Sequence, residues 1–162
     1  MKAIAGVVIL CMMVLVCGCG VYSFSASGKK PFSSVSISQF DNKTIEYQLA
    51  DRLTDAVINA FISDGTVPVR EASKAEAAMT GTVTEYRREA YTYDKQDIVS
   101  QYAANVRIHV KVVKANTDEV IWEEDFYAQG VYSPSTETEE DGQNKAIAIL
   151  KGNILDRTTK SW

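Results

Sequence analysis

The chain has 162 residues, with 17 basic and 21 acidic side chains, one histidine and three cysteines, the cysteines all within the first 19 positions. That length fits one domain able to bury roughly two thirds of its unfolded surface. Of the first 18 residues 15 are apolar, and with Lys2 set aside the rest of the chain carries 16 basic against 21 acidic groups, net −5. The acidic body argues against nucleic acid as a partner, because a nucleic-acid binder normally carries a basic excess to meet the charge of the phosphate backbone.

Met1 and Lys2 form a short positive start, and Ala3 to Val16 has no polar side chain. A run of that length fits the apolar region of a signal peptide and is too short to span a bilayer, which takes about 20 residues. It ends in Val16-Cys17-Gly18-Cys19, which resembles the bacterial lipobox. Gly18 is small enough for the peptidase pocket directly before the cut, whereas cleavage before Cys17 would put bulky Val16 there. Residues 1–18 are therefore expected to leave as signal peptide, and Cys19 to carry the covalent lipid that holds residues 19–162 to a membrane. Several acyl chains anchor stably where one binds only marginally. The mature chain would then have no free thiol and no disulfide, so its stability must come from its core. Residue 20 is Gly rather than an inner-membrane-retaining Asp, which makes the outer membrane the expected address.

After the anchor, Val21 to Phe24 reads as a short strand and Ser25 to Pro31 as a loop. Val35 and Ile37 alternate with serines, predicting a half-buried strand that ends near Phe40. From Ile45 to Ser63 the period becomes helical: Leu49, Ala50, Leu53, Ala56, Val57, Ala60 and Phe61 make one apolar stripe. Thr44 is the predicted N-cap, and Gly65 suits the left-handed position that ends the helix. Tyr47, Ile58 and Ile62 project to the other side at 100° per residue, as candidate partner-facing apolar residues unless a second element covers them. Val67-Pro68-Val69 fits a short edge strand, since proline removes a ladder donor. Ala72 to Ala78 reads as a linker or single helical turn, and Thr80 to Tyr93 as a poorly alternating strand rich in Thr, Val and Tyr.

Ile98 to Val112 carries the clearest β signal, with apolar residues at even positions from Tyr102 to Val112 and Asn105, Arg107, His109 and Lys111 at odd ones. Ala115 to Asp118 is the turn, and Val120, Trp122, Phe126 and Ala128 return in the next strand. One apolar face for both strands requires paired residue numbers to sum to an even value, 232 or 234. Either register sets the basic row against Glu123 and Asp125. Ser133 to Asp141 is an acidic loop, and Gln143 to Trp162 reads as a second helix with Ile147, Leu150, Ile154, Leu155 and Trp162 on one side. Thr136 with Glu139 is the predicted capping box. The pattern predicts an α+β domain in which two helices pack on one face of a mostly antiparallel or mixed sheet of four to five strands.

The mature chain carries no recognised catalytic motif. His109, its one histidine, is expected to be in a surface ion pair. Glu137, Glu139, Glu140 and Asp141 lack the spacing of a calcium loop and are better explained as partners of a helix dipole. No enzyme activity, metal or soluble cofactor is expected.

Several stretches together resemble the LptE family, lipoproteins of lipopolysaccharide assembly. They are Cys19-Gly20-Val21-Tyr22-Ser23-Phe24, Phe40-Asp41-Asn42-Lys43-Thr44, the helix from Leu49 and Leu53 through Phe61 to Gly65, Gly81-Thr82-Val83-Thr84-Glu85-Tyr86, and Glu119-Val120-Ile121-Trp122-Glu123. The Phe-x-Asn-x-Thr junction also resembles periplasmic lipoproteins that activate peptidoglycan synthases or assist a secretion pore, which gives the alternative function. The LptE resemblance implies an outer-membrane lipoprotein that plugs an LptD-type β-barrel, promotes its assembly and contacts lipopolysaccharide. Arg87, Arg88, Arg107 and Lys111 are the candidate contacts to its phosphates. The alternative for each is a solvated face balanced by Glu123 and Asp125.

Overall fold

The computed structural model describes residues 31–160. The expected signal peptide, Cys19, the strand expected at Val21 to Phe24 and Trp162 lie outside them.

In chain order the elements are β1 (Val35–Ile37), β2 (Asp41–Asn42), α1 (Leu49–Asp64), β3 (Ala77–Tyr93), β4 (Val99–Lys114), β5 (Val120–Tyr132) and α2 (Glu139–Thr159). They build the expected α+β fold, two helices on a mixed five-stranded sheet. β3, β4 and β5 form an antiparallel meander, while β1 and β2 both pair in parallel with β3. Parallel pairing needs a crossover, and α1 supplies it. The segment expected as an edge strand contributes only a bridge from Val69 to Val35. Ala77 and Ala78, expected in a linker, already belong to β3.

α1 starts at Leu49, four residues after the expected start, because the capping oxygens upstream are already engaged. Asn42 Oδ1 accepts from the Thr44 amide at 2.9 Å and from its hydroxyl at 2.8 Å, and Thr44 Oγ1 accepts from the Glu46 amide at 3.2 Å. Thr44 thus closes a turn, and Gln48 stands at the N-cap without a side-chain bond. Gly65 ends the helix as expected, at φ 68° with its N–H donating to the Phe61 carbonyl. Thr54, inside the buried stripe, accepts from the Phe40 amide at 3.0 Å and fixes the chain leaving β1 to the helix. Phe40 in turn lies over Gly81, where a Cβ would come within 2.8 Å of its ring.

α2 also begins elsewhere than predicted, and the capping box is Thr138 with Asp141, two residues after the expected pair. Thr138 and Asp141 exchange bonds in both directions, at 3.2 Å and 2.8 Å. The Thr138 backbone N–H, and then its hydroxyl, donate to the Asp141 carboxyl and hold it below its ordinary range. The core lies between the helices and one sheet face, from Leu49, Leu53, Val57 and Phe61 of α1 and Ala146, Ile147, Leu150 and Ile154 of α2 to Met79, Val83, Val106, Ile108, Val110 and Trp122 below. Burying each large apolar side chain contributes about 1.5–3 kcal/mol.

β3 alternated poorly in sequence because it changes phase. Odd residues Ala77, Met79 and Val83 are buried, then the register slips between Val83 and Glu85. Thr84 and Glu85 together oppose Arg107, a bulge that turns Tyr86 to the core side. In the hairpin of β4 and β5 the 234 register is the one formed: His109 pairs with Asp125 and Lys111 with Glu123, up to a slip at Val112. Among the described residues no helix is long and apolar enough to cross a membrane.

Candidate functional site

Both helices use the same sheet face, so the odd-numbered face of β4 is left open to solvent, and on it lie most of the polar side chains that the sequence singles out. At its centre Asn105, only 7% exposed although no helix covers it, is a hub. Its Oδ1 accepts from Tyr127 Oη at 2.6 Å and from Gln129 Nε2 at 2.9 Å, and its Nδ2 donates to Glu89 Oε2 at 3.0 Å. The Arg107 guanidinium stands over the Tyr127 ring at 5.6 Å and pairs with Glu85 Oε2 at 3.4 Å, while Glu85 Oε1 takes Arg87 Nε at 2.5 Å.

Further along the face His109 is held between two carboxylates, Nδ1 to Asp125 Oδ1 at 2.8 Å and Nε2 to Glu123 Oε1 at 2.9 Å. Only the imidazolium donates from both nitrogens, and the Asp125 bond raises its pKa above the ordinary value against a smaller desolvation effect. Lys111 Nζ reaches the other oxygen of Glu123 at 3.7 Å. The expected ion pair of His109 is present, doubled.

Arg87, Arg107 and Lys111 therefore share the open face, whereas Arg88 does not. The bulge turns Arg88 to the helix side, where it lies 3.9 Å over the Tyr102 ring and 3.7 Å from Glu139. Tyr102 stacks in turn on Tyr132 at 6.0 Å. Exposed ion pairs of this kind contribute about 0–1 kcal/mol each. Their use lies elsewhere: a guanidinium has five donors, so Arg87 and Arg107 retain N–H groups for an incoming anion while their carboxylate partners keep the face neutral.

The three apolar candidates do not form one stripe. Tyr47 precedes α1 and is 90% exposed, Ile62 lies on the helix at 63%, and Ile58 is half-buried. The acidic run at the start of α2 is distributed among partners. Glu137 pairs with Lys145 at 2.6 Å, Glu139 accepts from the Tyr86 hydroxyl, and Glu140 takes Arg52 at 3.3 Å. Burial first, then the bond to Glu139, pushes the Tyr86 phenol far above its ordinary range, so it stays a donor.

Two hydrogen-bond hubs went unread in the sequence. Asn105 looked like any other polar odd position of β4, because alternation reports the face and not the neighbours. Arg52 also gave no signal, yet its guanidinium joins the helices through Gln143, Asn144 at 3.0 Å and Glu140. It floors a cleft of about 480 Å³ between the two helix starts, lined also by Glu46, Tyr47 and Glu139.

The fold is that of an α+β domain whose two helices back one face of the sheet and whose other face is polar and ion-paired. The LptE family, described as lipopolysaccharide-assembly, matches residues 32–158, and the chain belongs to that family. No curated protein sequence matches the chain. Among solved structures it is similar to a Xanthomonas campestris protein at TM-score 0.62 and 14% identity, over 78% of this chain and 83% of that one. A minor lipoprotein from Acinetobacter baumannii is similar at TM-score 0.54 and 14% identity, over 80% and 94%. At such identities the likeness establishes the fold.

Proposed function

We propose that this chain is a non-enzymatic outer-membrane lipoprotein, lipidated at Cys19, that acts in lipopolysaccharide transport as plug and assembly factor of an LptD-type β-barrel. The observation that carries the reading is the open face of β3, β4 and β5 on a chain of this family. A barrel lumen is polar, and a plug must meet it without leaving unpaired charge in a confined space. The ladder from Glu89 through Asn105, Tyr127, Arg107 and His109 to Lys111 is polar throughout and carries its counter-charges with it. Arg87, Arg107 and Lys111 are the residues of this face that supply donors to lipopolysaccharide phosphates, and Arg88 contributes from the other side of the hairpin. The lipid at Cys19 keeps the domain at the membrane, and membership of a lipopolysaccharide-assembly family supports the assembly role.

Extraction of the full lipoprotein in a mild detergent tests the reading. Recovery of a large barrel protein at near one-to-one ratio, with surface lipopolysaccharide lost on depletion of the chain, is the expected result. Recovery as a lone monomer after cross-linking, or altered cell-wall cross-links with normal surface lipopolysaccharide, would overturn it.

A further inference from the structure

β1 and β2 occupy the outer edge of β3 only as far as Val83, where the Lys43 amide donates to the Val83 carbonyl at 2.9 Å. β3 runs on from Thr84 to Tyr93, and among the described residues this stretch pairs with β4 alone. Ten residues at 3.3 Å each leave an edge of about 30 Å, in line with two short strands that the fold already places there. We infer that this edge is a strand-addition site, taking an extended segment of a partner polypeptide alongside Thr84–Tyr93.

Three features give the slot a shape and a preferred occupant. The bonded turn from Asn42 to Glu46 walls its near end and holds Ile45 83% exposed, above a hollow of about 320 Å³ lined by Lys43, Thr44, Thr84, Glu85 and Tyr86. A preorganised turn that presents an apolar side chain to water costs little to bind. Tyr91 and Tyr93 are exposed at the far end. Between the ends Glu85, Arg87, Arg88 and Glu89 sum to zero charge. The occupant that fits is a near-neutral extended peptide with apolar residues toward both ends, bound by main-chain hydrogen bonds. A lipid would leave the edge N–H and C=O groups unmatched. A second copy in antiparallel register centred on this stretch would set Arg87, Arg88 or Glu89 against itself, which destabilises a cross-strand pair. The outer edge of β5 is the weaker template, since Glu123, Glu124 and Asp125 crowd its middle and Lys145 Nζ already donates to the Val131 carbonyl at 2.8 Å. The inference goes beyond the barrel reading, because a slot of this kind requires an extended peptide and not a particular parent protein.

The test places a photo-cross-linking phenylalanine analogue at Tyr91 or Ile45 of the full lipoprotein in its native membrane, with Ile149 on the helix face as control, and follows amide exchange of the extracted complex. The expected result is that adducts from positions 91 and 45 map to one contiguous segment of a partner polypeptide, while residues 84–93 exchange on the order of tenfold more slowly in the complex than in the stripped chain. Adducts with lipid or with a second copy alone, adducts at the control position only, or equal exchange in complex and stripped chain would each overturn the inference. The parent protein of the cross-linked segment tests the barrel reading separately: a parent that is not a barrel would sink that reading and leave the slot standing.

Discussion

Gly130 of β5 and Gly142 of α2 meet backbone to backbone: a Cβ on Gly130 would lie inside the Gly142 carbonyl oxygen and 2.8 Å from the Ala146 amide nitrogen. The helix sits this low because neither residue carries a side chain, and that depth brings Ala146 and Leu150 into the core. Gly130→Ala must push α2 off the sheet and is expected to cost about 3 kcal/mol, the upper part of the range for overpacking. Gly152 of the same helix has open space around its Cβ position. Gly152→Ala is expected to raise stability by about 0.5–1 kcal/mol through helix propensity. Urea unfolding of the two variants separates a packing glycine from an incidental one, and equal shifts would refute the assignment.

Arg52 is expected to act as a clasp between the helices. Its side chain is one-quarter exposed and donates to Gln143, Asn144 and Glu140 of α2. Arg52→Met retains the buried stem and removes the donors, so the loss is expected at about 1–2 kcal/mol. A double-mutant cycle with Gln143→Leu, read by thermal unfolding, should return a coupling above about 0.5 kcal/mol. Additive losses would show that the two side chains act independently.

How much of this was legible depended on what each signal encodes. Alternation narrowed the register of β4 and β5 to two candidates, because a slip of one residue would turn Val106, Ile108 and Trp122 to water, and the structure forms the 234 one. β3 was blurred by the bulge at Thr84 and Glu85, where the period of two restarts in the opposite phase. Helix starts were misplaced because a threonine oxygen serves a turn as well as a cap: Thr44 was taken by Asn42 and Glu46, and of two Thr-x-x-acid patterns the chain used Thr138 and Asp141 rather than Thr136 and Glu139. That Arg87 and Arg88 face opposite ways follows from the strand period, but which of them turns to the helices depends on that same bulge and was invisible.

His109 makes stability depend on pH in a defined direction. The Asp125 bond, and then the Glu123 bond, raise its folded pKa above the ordinary 6.5, against desolvation. A raised folded value means that the contribution is complete below the unfolded pKa and is lost as pH rises through the folded one. Stability is therefore expected to fall as pH climbs from about 6 toward 8, by less than about 1 kcal/mol because the pair is exposed to solvent screening. His109→Gln should flatten that slope. A wild-type slope of opposite sign across this window, measured as denaturation midpoint against pH, would rule the arrangement out.

The open face predicts how the chain should meet an anionic ligand. Arg87, Arg107 and Lys111 have side chains 66%, 46% and 41% exposed, so each contact to a phosphate is screened. At about 0.5 kcal/mol per screened contact, replacing all three by Gln is expected to weaken lipopolysaccharide binding about tenfold. Arg88→Gln alone, on the helix side, should weaken it less and should also lower stability, because it removes the contacts to Tyr102 and Glu139. Raising salt should narrow the gap between wild type and the triple variant, since exposed charges are screened beyond roughly 10 Å at 0.1 M. Binding measured on the full lipoprotein in detergent decides the matter: an unchanged affinity in the triple variant would return these residues to the role of a solvated, self-balanced surface, and the anion contacts would have to be sought at Arg88 and the hairpin beyond it.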